Sequence, residues 1–210
     1  MTLTLGFDTA GPYVSAAIFD GRDVPFAVHR DMTKGQAEAL LPQLEDLLAE
    51  AGVTWNDITR LGGGIGPGNF TGIRIAVAAA RGLALGLGIP AVGVSLLEAA
   101  ALGQTDPTVV VLDARRGPVY VQGYHGPSPV LPCEMTVEDA AALVDGSAVY
   151  IGSGVGLLLH GPPVPAVYAP GSAIARIAGH RTVSEGTRPT PLYLRAPDAA
   201  PARPVPATAP

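Results

Sequence analysis

The segment Gly62–Ile75, GGGIGPGNFTGIRI, places six glycines among its first eleven residues and then turns apolar. Glycine frees the backbone, so such a run either cradles phosphate or acts as a hinge that only shapes the chain. Two phosphate-binding patterns can be set against it. A P-loop needs lysine and a hydroxyl directly after its last glycine; here Gly68 is followed by Asn69 and Phe70. A dinucleotide loop needs G-x-G-x-x-G; the pairs Gly64/Gly66 and Gly66/Gly68 both lack the final glycine. What remains is a glycine-rich strand, a tight turn, and a helix over about 71–87 with Asn69 or Thr71 as its cap. The helix start could still hold an anion, with Asp8, Gly66, Gly68, Asn69 and Thr71 as the residues nearest a nucleotide or phosphate. A turn with no ligand is the favoured reading.

The rest of the chain reads as alternating strands and helices. LTLGF puts Leu3, Leu5 and Phe7 on one face and ends at Asp8; YVSAAIFDGRDVPFAVHR reads as two strands joined at Asp20-Gly21. Thr33 and Gln36 have capping-box spacing, and Leu40, Leu41, Leu44, Leu47 and Leu48 form one apolar stripe of a helix stopped by Gly52. IPAVGV is a strand, and Ser95 caps a short helix. After the boundary GQTDP come the strands TVVVLD and VYVQGY, a helix capped by Thr136, the strand AVYIGSG and the helix GSAIARIAGHR. The stretches 6–21 and 111–126 share a layout of strand, terminal Asp, Gly-Pro turn and second strand, which points to two lobes on one plan. The expected divisions are 1–104, 105–196 and a Pro/Ala-rich tail, 197–210.

The helix GIRIAVAAARGLALGLG is apolar on nearly every side and rich in small residues, so another helix can approach it closely. Together with the leucine stripe it reads as an interface with a second polypeptide, carried by Leu40, Leu44, Ile73 and Val77, with Arg74 and Arg81 at its rim.

Chemistry-bearing clusters are sparse. His29, His125, His160 and His180 are far apart without H-x-x-x-H or H-E-x-x-H spacing, so no metal site is expected. Cys133 stands alone beside no base. Net charge is -5 with the basic residues scattered, which disfavours direct nucleic-acid binding. The N-terminus lacks a signal-peptide pattern and the apolar runs are broken by Gly and Pro, so the expected compartment is the cytoplasm.

The blocks FDTAGPYVSAAIFD, GGGIGPGNFTGIRIAVAAARGLALGLGIPAVGVSLLEA, LDARRGPVYVQGY and PLYLR resemble the bacterial TsaB (YeaZ) family over about residues 1–195. GPGNFTGIRI is the most specific of them, although the family more often has Ser at the position of Asn69. The resemblance implies an α/β, two-lobed actin/Hsp70-like (ribonuclease H-like) fold with a degenerate second lobe. It implies a non-catalytic scaffold in formation of N6-threonylcarbamoyladenosine (t6A) at position 37 of tRNA. The transferase would be a paralogue, TsaD, and a P-loop ATPase, TsaE, would join them. The chain alone would form a homodimer through the same helical surface. It would hold no cofactor of its own, leaving ATP or ADP to the complex with TsaD, and would touch tRNA only indirectly. Many members carry a histidine early in the first helix region, where MTKGQAEALLP has none. The competing function is an actin-fold ATPase or small-molecule kinase acting through Asp8 and Asp113.

Overall fold

The computed structural model describes residues 2–126, 130–144, 146–159, 164–184 and 188–195; the expected tail 197–210 lies outside them. The chain opens as a meander, β1 (Leu3–Asp8), β2 (Tyr13–Phe19) and β3 (Phe26–Asp31), each pair antiparallel. Helix α1 (Gln36–Glu50) leads to β4 (Ile58–Gly64), and α2 (Phe70–Leu87) leads to β5 (Ala91–Val94). Both later strands run parallel to β1, giving the order β3-β2-β1-β4-β5.

Helix α3 (Leu96–Ala101) then connects to a second sheet of β6 (Thr108–Asp113), β7 (Val119–Tyr124), β8 (Cys133–Met135) and β9 (Val149–Ile151). Its order, β8-β7-β6-β9, repeats the plan of the first: an antiparallel meander followed by a strand parallel to its first member. Among the described residues it has no counterpart of β5. Helix α4 (Val137–Ala142) is capped by Thr136 as expected, with Asp139 N donating to its Oγ1; α5 (Val155–Leu159) follows β9, and α6 (Pro170–His180) follows α5.

The glycines of β4 answer to packing. Successive residues of a strand point to opposite faces. A Cβ on Gly62 would lie 2.8 Å from Ala178 Cβ of α6, and one on Gly63 would lie 2.9 Å from Ala80 Cβ of α2. Bare backbone therefore lets a helix settle on each side of the sheet. Arg60, on the same strand, fixes α6 end-on: its Nη1 donates to the carbonyls of Ala178, Gly179 and Arg181 at 2.7, 3.0 and 2.8 Å, placing a cation at the negative end of the helix.

Two expectations need correction here. The capping box at Thr33 and Gln36 does not form; Gly35, with φ 87°, starts α1 without a side-chain cap, and Gln36 Nε2 donates back to Met32 O. The division at 104/105 does not separate two packing units, because α6 lies on β1, β2 and β4 of the first sheet. Its small residues Gly171, Ala173, Ala175 and Ala178 suit that close contact. Residues 170–180 thus complete the N-terminal lobe instead of belonging to the second.

The core of the first lobe joins Leu40, Leu44, Leu47 and Leu48 of α1 to Leu5, Phe7, Val14 and Ile18 of the sheet. Each buried leucine contributes roughly 1.5–3 kcal/mol. Leu97 and Ala101 of α3 cluster with Val110, Tyr120 and Ile151 of the second sheet, while Leu96 and Ala99 of the same helix cluster with Val92 and Val94 of the first, so α3 joins the two sheets.

Candidate functional site

Helix α2 shows three faces. The first, Gly72, Ile73, Ala76, Val77 and Ala80, is buried. Gly72 admits the turn after β1, and Thr9 Oγ1 donates to its carbonyl at 2.7 Å. The expected interface residues Ile73 and Val77 are therefore 1% and 4% exposed, and Leu40 and Leu44 1% and 0%. These four are core residues; a partner cannot reach them without unfolding the lobe, and that assignment is withdrawn.

The second face carries the chain's own C-terminal strap, residues 188–195. Arg74 lies over the Phe70 ring at 4.0 Å and its Nε donates to Tyr193 Oη at 3.2 Å; Tyr193 stacks on Phe70 at 4.4 Å. Arg81 Nε donates to Pro189 O at 2.7 Å, and Leu192 N donates to Ile65 O at 2.8 Å. Both arginines, expected at an interface rim, thus engage the strap.

The third face is open. Thr71, Ala78, Gly82, Leu85 and Gly86 are exposed, with Ile75 and Ala79 half-buried beside them. Leu85 is 85% exposed, and Leu41 of neighbouring α1 is 46% exposed. Among the described residues α2 is the one helix long and apolar enough to cross a membrane, yet it is packed on β4 through Ala80.

The N-terminal end of α2 borders a cleft between the lobes of about 1050 Å³. Asn69 caps the helix, its Oδ1 accepting from Gly72 N at 2.9 Å. Gly68 and Asn69 line the cleft, whereas Gly66 is buried and Thr71 sits on the open face. Opposite lies the β6–β7 turn with Asp113, Arg115 and Arg116, and the strap closes the side with Tyr193 and Arg195.

Asp8 does not reach this cleft. It is 0% exposed; Oδ2 accepts from Ala10 N at 3.1 Å, the Tyr13 hydroxyl bonds its carboxyl group, and Oδ1 has no hydrogen-bond partner. Gly11 leaves room for the Tyr13 ring that lies over the turn. Burial pushes the Asp8 carboxyl up from its ordinary 3.8 to about 6, against the opposing pull of the Tyr13 and backbone hydrogen bonds. The Tyr13 phenol is driven well above its ordinary value by burial and by the Asp8 charge. The placement of Asp8 near a nucleotide or phosphate is therefore corrected: the Asp8 carboxyl is fully buried, with Tyr13 bonded to it. Asp113 is exposed, but its Oδ1 is engaged by Arg115 N at 2.7 Å. The sequence signals for Tyr13 and the arginine pair, GPY and ARRG, are short and lie in turns, and the strap left only PLYLR.

Two sheets built on one plan, joined by a short helix and facing each other across a cleft, define an actin-like fold. The same fold occurs in an activator of 2-hydroxyisocaproyl-CoA dehydratase from Clostridium difficile, with TM-score 0.53 and 10% identity over 85% of this chain and 94% of that one. The family model described as TsaD, tRNA N6-adenosine threonylcarbamoyltransferase, matches residues 30–141. An uncharacterized protein of Mycobacterium tuberculosis is 33% identical over 96% of this chain and 95% of its own length. One of Mycobacterium leprae is 34% identical over 96% of this chain but only 57% of its own length. TsaB of Escherichia coli is 36% identical over 57% of this chain and 54% of its own. The chain thus spans little more than half the length of some curated relatives. A Pseudomonas aeruginosa protein with similarity to YeaZ superposes with TM-score 0.75 and 28% identity, over 93% of this chain and all of that one. The chain belongs to the TsaB (YeaZ) family.

Proposed function

We propose that the chain is a non-catalytic scaffold subunit of the machinery that forms t6A at position 37 of tRNA, and that it docks a TsaD-type transferase. The observation that supports this reading is the open face of α2. A stripe of small and apolar side chains, Ala78, Gly82 and Leu85, flanked by the half-buried Ile75 and Ala79, faces outward while the chain's own strap occupies the neighbouring face. Small residues permit close helix–helix approach, and Leu85 near the C-terminal end of α2 supplies an exposed apolar side chain. The same stripe serves a second copy of the chain when the transferase is absent. A TsaE-type P-loop ATPase joins the pair, ATP or ADP belongs to the assembly, tRNA is contacted through the transferase, and the setting is cytoplasmic without membrane attachment. The ATPase or kinase alternative has no structural support at Asp8, whose carboxylate is sealed.

The test is association. Ala78→Glu and Leu85→Glu alter exposed positions, so the variants stay folded by circular dichroism. Each is expected to weaken pull-down of the TsaD-type paralogue and homodimerisation on gel filtration by about tenfold or more, the loss of roughly 1.4 kcal/mol or more of contact. Undiminished association of both folded variants would overturn the docking role.

A further inference from the structure

We infer that the C-terminal strap is a brace that holds the two lobes at one angle, with the Arg195–Glu134 pair as its releasable joint. The lobes are joined through α3, which packs on Val92 and Val94 of the first sheet and on Val110 of β6 and Tyr120 of β7 in the second. Two bodies joined along one helix can still rock about it. The strap makes a second tie, along the side of the cleft. Its last anchor, Glu134, stands on the edge strand β8, two strands from β6. Neighbouring strands lie just under 5 Å apart, so that anchor acts with a lever arm of about 10 Å from β6.

The segment PLYLR, residues 191–195, divides its groups between the lobes. Leu192 N donates to Ile65 O, and Tyr193 stacks on Phe70 while its hydroxyl accepts from Arg74 Nε, all in the first lobe. Upstream, Pro189 is buried and its carbonyl accepts from Arg81 Nε. Gly93 of β5 admits it, since a Cβ there would lie 3.2 Å from Pro189 Cα. The very next residue after Tyr193 changes lobe: Leu194 packs on the cluster of Val110, Tyr120 and Ile151. Arg195 follows it, with Nε and Nη2 both donating to Glu134 Oε1 at 2.8 and 2.6 Å. Tyr193 and Arg195 are two residues apart, so their Cα atoms can separate by at most about 7 Å. The lobes therefore cannot part on this side unless one end of the strap lets go. The first-lobe end is held by a ring stack and backbone hydrogen bonds. The Arg195 and Glu134 side chains keep 27% and 20% exposure, so water can replace each partner, and this is the end that releases.

The test reads the distance between lobes in the full chain by double electron–electron resonance. Nitroxides are attached at Arg30→Cys on β3 and Glu138→Cys on α4, both exposed positions. Cys133→Ser removes the native thiol, and unlabelled chain is added so that only distances within one molecule are read. With the joint intact, one narrow distance distribution is expected. Glu134→Gln keeps the shape of the side chain and drops its charge; it is expected to broaden the distribution about twofold, as a released hinge does. Arg195→Gln opens the same joint from the strap side and should act alike. Exchanging the charges, Glu134→Arg with Arg195→Glu, should narrow the distribution again, which a merely destabilised lobe would not do. Asp23→Asn breaks the Asp23–Arg176 pair inside the first lobe and should leave the width unchanged. A broad distribution with the joint intact, an unchanged width in both glutamine variants, or an exchanged pair that stays broad would overturn the brace.

Discussion

Asp8 is a carboxylic acid that the fold keeps out of water, and this sets a pH dependence with a definite sign. The unfolded chain releases the Asp8 proton near pH 3.8, whereas the folded chain keeps it to about pH 6. Between those values the native state binds the extra proton, so the contribution of Asp8 to stability is full below about pH 4 and is lost as pH rises through about 6. A shift of this size corresponds to about 3 kcal/mol. Asp8→Asn, which cannot ionise, is expected to remove that decline; chemical denaturation of both proteins between pH 4 and 7 measures the difference. Tyr13→Phe deletes a hydrogen bond that lowers the Asp8 value, so the decline should extend to higher pH. The sequence showed an Asp ending a strand and suggested phosphate chemistry. Its fate depended on a tyrosine five positions later folding back over Gly11, which no local pattern reveals.

Helix α2 illustrates what periodicity can and cannot deliver. Its existence and its start at Asn69, one of the two caps considered, are legible, since a capping residue precedes a long run rich in Ala and Leu with no proline. Its orientation is not. With Ile73 and Val77 on one side and Ile75, Ala78 and Leu85 on another, the apolar residues have no single phase, and only the neighbours decide which side is buried. The expected interface therefore fell on the core face. Val77→Glu is expected to lower stability by ~3 kcal/mol or more, an unpaired charge forced into an apolar cluster, whereas Leu85→Glu should change stability by less than about 0.5 kcal/mol. Thermal unfolding of the two variants distinguishes the faces directly. Arg74 and Arg81, seven residues apart, mark the remaining side, and their partners are contributed by residues more than a hundred positions away.

At the scale of the whole molecule, the repeat of strand, Asp and Gly-Pro turn did foretell two sheets of common design, and the shortened second sheet agrees with a degenerate lobe. The return of α6 and the strap to the first lobe was not legible. Nothing local in GSAIARIAGHR names its partner; the match lies in glycines of β1 and β4 that leave space for Ala175 and Ala178. That route through space also governs how the protein can be made. A ribosome delivers β1 to β5 long before the helix that seals their second face, so the nascent first sheet waits with one side bare while some eighty further residues emerge. A fragment ending at residue 104 should accordingly be poorly soluble and bind hydrophobic dyes. Adding a peptide of residues 164–184 in trans should restore cooperative unfolding. Full solubility and a sharp transition for the fragment alone would show that the late helix is dispensable to nascent-chain folding.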